Sequence, residues 1–206
     1  MKNMTAFSTP CCRSRPDAWS VGRLLALALA LLCAPSAGAA EIEVKSAEIV
    51  PGEEAWLLDA EFGIDLGHRL EDVVSRGVAL YFVAEIELTR ARWYWIDEHV
   101  AGRKQTWRLA YHALTRQYRL SSGALHQSFA SLDEALRVLS RLRGWPVADK
   151  ASLKTGESYN AALRLKLDLT QLPKPFQVTA IGNKDWNVTA EVKRWSFTPP
   201  AEAAPK

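Results

Sequence analysis

Beyond position 33 the chain has no cysteine; its three are Cys11, Cys12 and Cys33. A domain built from the remainder has no disulfide, no thiol nucleophile and no cysteine metal site. Histidine is scarce as well. His68, His99, His112 and His126 never fall at the i, i+2 or i, i+4 spacing that sets paired imidazoles on one metal. Asp97-Glu98-His99 is the nearest approach to a ligand set, and a solvated turn is the plainer reading, so no metal is expected. Gly-x-Ser-x-Gly and Gly-rich phosphate loops are both missing. No catalytic residue is assigned on this basis, and no cofactor is expected. Long apolar runs are lacking too: the stretch from Leu24 through Cys33 falls far short of the ~30 Å hydrocarbon core.

That short run has a different use. Lys2, Arg13, Arg15 and Arg23 precede it, Pro35 and Ser36 break it, and Ala37-Gly38-Ala39-Ala40 supplies small residues for signal peptidase. Residues 1–40 therefore read as a cleavable export signal. Residues 41–198 follow as one β-rich domain and 199–206 as a disordered tail rich in Pro and Ala. The expected product is periplasmic, or otherwise exported, and without stable membrane insertion once the signal is removed.

Charge of one sign is absent from that product. Residues 1–40 hold four of the 26 Lys and Arg and one of the 23 Asp and Glu, which leaves 22 of each. The basic balance belongs to the targeting segment. With no excess to build a large basic patch, a nucleic-acid partner is not expected.

What is present is alternation. Residues 42–50 and 55–66 read as a hairpin around Pro51-Gly52-Glu53-Glu54, with Trp56, Leu58, Ala60, Phe62, Ile64 and Leu66 on one face. A short helix over His68–Arg76 ends at Gly77. The next strand, within 78–97, carries Val78, Leu80, Phe82, Ile86 and Leu88 on one face and then Arg90 and Arg92 on that same face. A period-2 strand cannot swap its apolar face without an inserted residue, so a bulge is expected within Thr89–Arg92, or two partly covered faces. The chain is expected to turn through Glu98–Lys104 and return as Thr106–His112. A second hairpin joins Gln117–Leu120 to Leu125–Phe129. Ser131-x-x-Glu134 is a capping box opening the main helix, expected to run to Arg143 and stop at Gly144 before Pro146. Strands over 159–169, Phe176–Ile181 and about 185–197 finish the domain. The expected fold is mainly β: an antiparallel β-sandwich or open barrel with one long and one short helix inserted.

Aromatic residues stand out. Seven of the eight tryptophans lie beyond residue 40, and Trp93, Trp95 and Trp107 crowd one hairpin beside Arg90, Arg92 and Arg108. Tryptophan with arginine makes effective anchors, so these residues form a candidate partner or ligand surface. An apolar stripe at strand period is more often core, and the two readings differ in whether the rings are buried.

The runs Arg92-Trp93-Tyr94-Trp95-Ile96-Asp97, Leu109-Ala110-Tyr111-His112-Ala113-Leu114-Thr115-Arg116-Gln117-Tyr118 and Leu132-Asp133-Glu134-Ala135-Leu136 resemble a family of exported proteobacterial proteins, domain of unknown function 4390. Leu167-Asp168-Leu169, Leu172-Pro173-Lys174-Pro175-Phe176-Gln177 and the closing Trp186 and Trp195 add to the resemblance. It covers nearly all of the chain beyond the signal. It implies an envelope location, with no activity, substrate or catalytic residue to carry over. Genes of that family sit beside those of a membrane sensor kinase, which points to an envelope protein of that kind as partner and to signalling. The function expected is a non-enzymatic binding or interaction module. The alternatives are an envelope hydrolase with a dispersed site and an assembly factor acting through a sheet edge.

Overall fold

A computed structural model describes residues 40–92, 97–180, 186 and 188–200. Among them the strands are β1 (Glu41–Pro51), β2 (Ala55–Asp65), β3 (Leu80–Arg90), β4 (Glu98–His112), β5 (Gln117–Ser122), β6 (Leu125–Phe129), β7 (Arg141–Asp149), β8 (Tyr159–Leu167) and β9 (Lys193–Phe197). The helices are α1 (Gly67–Ser75), α2 (Leu132–Leu139) and α3 (Lys174–Ala180). All pairing is antiparallel and forms a three-stranded sheet, β1-β2-β7, and a six-stranded sheet, β6-β5-β4-β3-β8-β9. Neither sheet closes on itself, and β1 lies against β8 and β7 against β4. The protein is mainly β, with two layers stacked like a sandwich.

Alternation dictates this stacking. Along β2, Trp56, Leu58, Ala60 and Phe62 are buried while the residues between them are not; along β8, Tyr159, Ala161, Leu163, Leu165 and Leu167 do the same. Leu80, Phe82, Ala84, Ile86 and Leu88 of β3 meet them from the middle of the larger sheet. Each fully buried Leu or Phe contributes roughly 1.5–3 kcal/mol, and this shared core is what holds a cysteine-free domain together. Helix α1 buries Leu70, Val73 and Val74 and ends as expected. Gly77 sits at φ 88°, and the N–H groups of Gly77 and Val78 reach the carbonyls of Val74 (2.9 Å) and Val73 (3.3 Å). That is the two-bond closure a left-handed glycine permits.

Several expectations are corrected. The capping box forms, with Ser131 accepting the Glu134 N–H at 3.2 Å and Glu134 accepting that of Ala130 at 3.2 Å. However, α2 ends at Leu139, not Arg143, and Arg141–Asp149 is strand. Gly144 and Pro146, read as helix-stopping residues, serve an edge strand instead. Gly144 is at φ 60° in a bulge opposite Asp59, which accepts its N–H at 2.8 Å. Pro146 needs no ladder bond on the outer side of β7. The expected strand at Phe176–Ile181 is helix over Lys174–Ala180, because Pro175 fits a first helical turn and the Pro173 carbonyl accepts from Phe176 (2.9 Å) and Gln177 (3.2 Å). The turn expected at Glu98–Lys104 is already strand, and Thr89 and Arg90 pair with His99 and Glu98. The register shift falls between Leu88 and Thr89, with the extra residue, Val100, on β4 instead of β3. Both faces of β3 are indeed partly covered, since Val83 and Glu85 are buried opposite the core face. The last strand is shorter than expected: Thr189 bridges Lys166, and regular pairing begins only at Lys193. Pro199, placed at the start of the tail, is buried, and its carbonyl accepts the Gly156 N–H at 3.2 Å; residues 201–206 lie outside the described residues.

Candidate functional site

The expected surface around the β3–β4 hairpin divides into three. Arg90, at the end of β3, is bound to carboxylates on both sides: its Nε donates to Glu98 at 3.0 Å and its Nη1 to Glu157 at 2.7 Å. Arg92 joins the same Glu98 at 2.7 Å. Tyr159 extends the chain by donating to Glu157 at 3.1 Å and accepting the Lys154 N–H at 2.9 Å. Hydrogen bonds from Arg90 hold both Glu98 and Glu157 below the ordinary carboxylate range, and these bonds push the Arg90 guanidinium up. This knot ties the hairpin's turn end to the segment before β8.

Trp107 is elsewhere. It pairs with Phe82 and packs, half-buried, against the core. Arg108, the next residue, pairs with Tyr81 and points out of the other face, exposed. Trp93 and Trp95 lie outside the described residues. The structure thus brings Arg90 and Arg92 together and separates Trp107 from Arg108.

The outer face that Arg108 joins is the unexpected feature. Register places Lys104 and Arg108 of β4, Arg119 of β5, Arg164 and Lys166 of β8 and Arg194 of β9 on it, against the carboxylates of Glu85 and Glu87. Glu85, 6 % exposed, is its centre. Lys104 and Lys166 approach its Oε1 at 3.0 Å, and Arg164 Nε donates to its Oε2 at 2.7 Å. Burial pushes the Glu85 carboxyl up, yet the hydrogen bonds from Lys166, Lys104 and Arg164 outweigh that and hold it at about 2. One carboxylate therefore packs three cations together, and their charges exceed it. Arg119 adds a buried Nε with no hydrogen-bond partner.

The opposite surface has the reverse sign. On the outer face of the three-stranded sheet, Glu41 stands across from Asp65, Glu48 across from Asp59, and Glu43 and Glu61 lie beside them. Lys45, Arg141 and Arg143 only partly offset these acids, Arg143 reaching Asp59 at 3.3 Å. Like charges directly opposite on neighbouring strands are destabilising by up to about 1 kcal/mol per pair. A chain with equal numbers of acids and bases beyond residue 40 thus carries an excess of cations on one outer face and of acids on the other.

Concave features are modest. A cleft of about 480 Å³ runs between the edges of β1 and β9, lined by Glu41, Glu43, Glu191 and Lys193 among others and by no histidine. Lys193 Nζ donates across it to the carbonyls of Val44 (3.4 Å) and Lys45 (2.8 Å), where β1 is bulged. A lysine and a bulge are the usual means of keeping a sheet edge from recruiting another strand. Among the described residues no group of three His, Cys, Asp or Glu is placed to hold a metal ion, and no helix is long and apolar enough to cross a membrane.

Reading the sequence alone missed Glu85 and its ring of cations. The signal was there as alternation, since Arg164 and Lys166 interleave with Leu163, Leu165 and Leu167, but which strands place charges together depends on register.

The family model for domain of unknown function 4390 matches residues 39–196, so the chain belongs to that family. No curated protein matches it, and no solved structure does.

Proposed function

We propose that this member of the family is an exported, periplasmic binding module without catalytic chemistry, and that it meets an anionic partner through the outer face of its six-stranded sheet. The observation that carries this reading is the sorting of charge: a domain with no formal excess presents cations on one face and acids on the other. Sorting of this kind aligns a molecule in an external field and steers its encounter, which net charge alone does not do. Export is supported by the layout of residues 1–40 and by the start of β1 at Glu41, which lets cleavage at the small-residue stretch leave the first sheet whole.

The test is photocrosslinking in growing cells, from Thr106 on the basic face and from Ser46 on the acidic face, both exposed. Envelope adducts are expected from position 106 and not from 46, on protein whose N-terminus is Ala40 or Glu41. Adducts of equal yield from both faces, or a retained Met1 on the envelope protein, would contradict the reading.

A further inference from the structure

We infer that the partner of this face is an anionic lipid surface, with the domain lying flat on the headgroups and its acidic face turned away. This rests on the reading of the face as the contact surface and adds the chemistry of what it touches. The basic side chains are spread over a plane instead of lining a groove. From Arg119 on β5 to Arg194 on β9 they cross four inter-strand spacings, about 19 Å at ~4.8 Å each. A hollow lined by residues of this face, near Glu85, Arg164 and Arg194, holds only about 150 Å³ and would not seat a peptide. A plane of cations complements a plane of phosphates, whereas an acidic peptide would engage a row of them.

The sign pattern fits as well. An anionic surface attracts the face carrying Arg108 and Arg194 and repels the one carrying Glu41, Glu43 and Glu48, so both faces favour one orientation. The large apolar side chains exposed among the described residues, Leu114, Leu125, Val138 and Val178, are not on this face. With no large exposed apolar side chain on this face among the described residues, binding through it is electrostatic, reversible and sensitive to salt.

The experiment is co-sedimentation of the protein, purified as cells process it, with vesicles of phosphatidylcholine alone and of phosphatidylcholine with an equal share of phosphatidylglycerol. Expected is binding to the second only, released between about 0.05 M and about 0.5 M salt as the screening length shortens. Arg108→Glu with Arg194→Glu, two exposed residues, is expected to weaken partitioning more than about tenfold while melting with the parent. Equal binding to both vesicles, no binding to either, or binding by the double variant at the parent's level would overturn the lipid assignment. Loss of vesicle binding with persistent crosslinks to a protein from position 106 would remove the lipid and leave the contact face standing. Loss of both would remove both.

Discussion

Trp107 and Arg108 are neighbours on β4 that serve opposite sides of one sheet: Trp107 packs on the core beside Phe82, and Arg108 stands exposed beside Tyr81. Their adjacency in sequence suggests a single ledge, and the strand's two-residue period divides it. The pair gives the first expected outcome. Trp107→Ala should cost about 2–3 kcal/mol, below the ~3–5 kcal/mol of a fully buried ring because Trp107 is only half-buried. Trp56→Ala, where the ring is 7 % exposed and meets Phe197 edge-on at 5.2 Å, should reach the full range. Arg108→Ala should stay within about 0.5 kcal/mol. Urea midpoints at unchanged slope provide the comparison.

Glu85 sets an acid limit. Its carboxyl is held at about 2 in the folded protein against an ordinary 4.5, so its contribution is fully present above about 4.5 and is lost as pH falls towards 2. The lowering corresponds to on the order of 3 kcal/mol. Glu85→Gln should destabilise the protein by about 2–4 kcal/mol at neutral pH, since three cations lose their shared partner. It should also flatten the decline in stability between pH 4.5 and 2. A variant as stable as the parent at pH 7 with the same acid profile would show that the cluster is not held by this charge.

Gly144 isolates backbone strain. A Cβ there meets nothing within 4 Å, yet φ is 60°. Gly144→Ala should therefore cost about 1–2 kcal/mol from conformation alone, and Gly144→Asn less, because asparagine tolerates the left-handed region. Thermal midpoints of the two variants distinguish this bulge from an ordinary strand position, at which alanine would be harmless.

Legibility in the sequence followed the range of each signal. The hairpin of Ile42 and Trp56, the α1 end at Gly77 and the β8 alternation depend on neighbours a few residues apart, and all three were readable. Leu142 stands three residues after Leu139, a spacing that favours a helix, and the pairing of Arg141–Asp149 with β2 overrides that local signal. Phe176 lies in a run too short for periodicity to tell strand from helix. The basic face was illegible for a deeper reason. Counting charges gives neutrality, and that count argued against a basic patch; Lys104, Arg164 and Arg194 meet only through the register of four strands. Summed charge reports nothing about segregation.

Two variants with the same change in net charge test the central claim most directly. Arg108→Glu with Arg194→Glu reverses two cations on the six-stranded sheet; Lys45→Glu with Arg141→Glu reverses two exposed cations on the outer face of the three-stranded sheet. The measurement is the yield of envelope adducts from a photocrosslinker at position 106 in each background, normalised to folded protein. Contact through the basic face requires that the first pair abolish the adducts and the second leave them at the parental yield. Equal losses from both pairs would mean that overall charge, and not the face, governs association, and would contradict it.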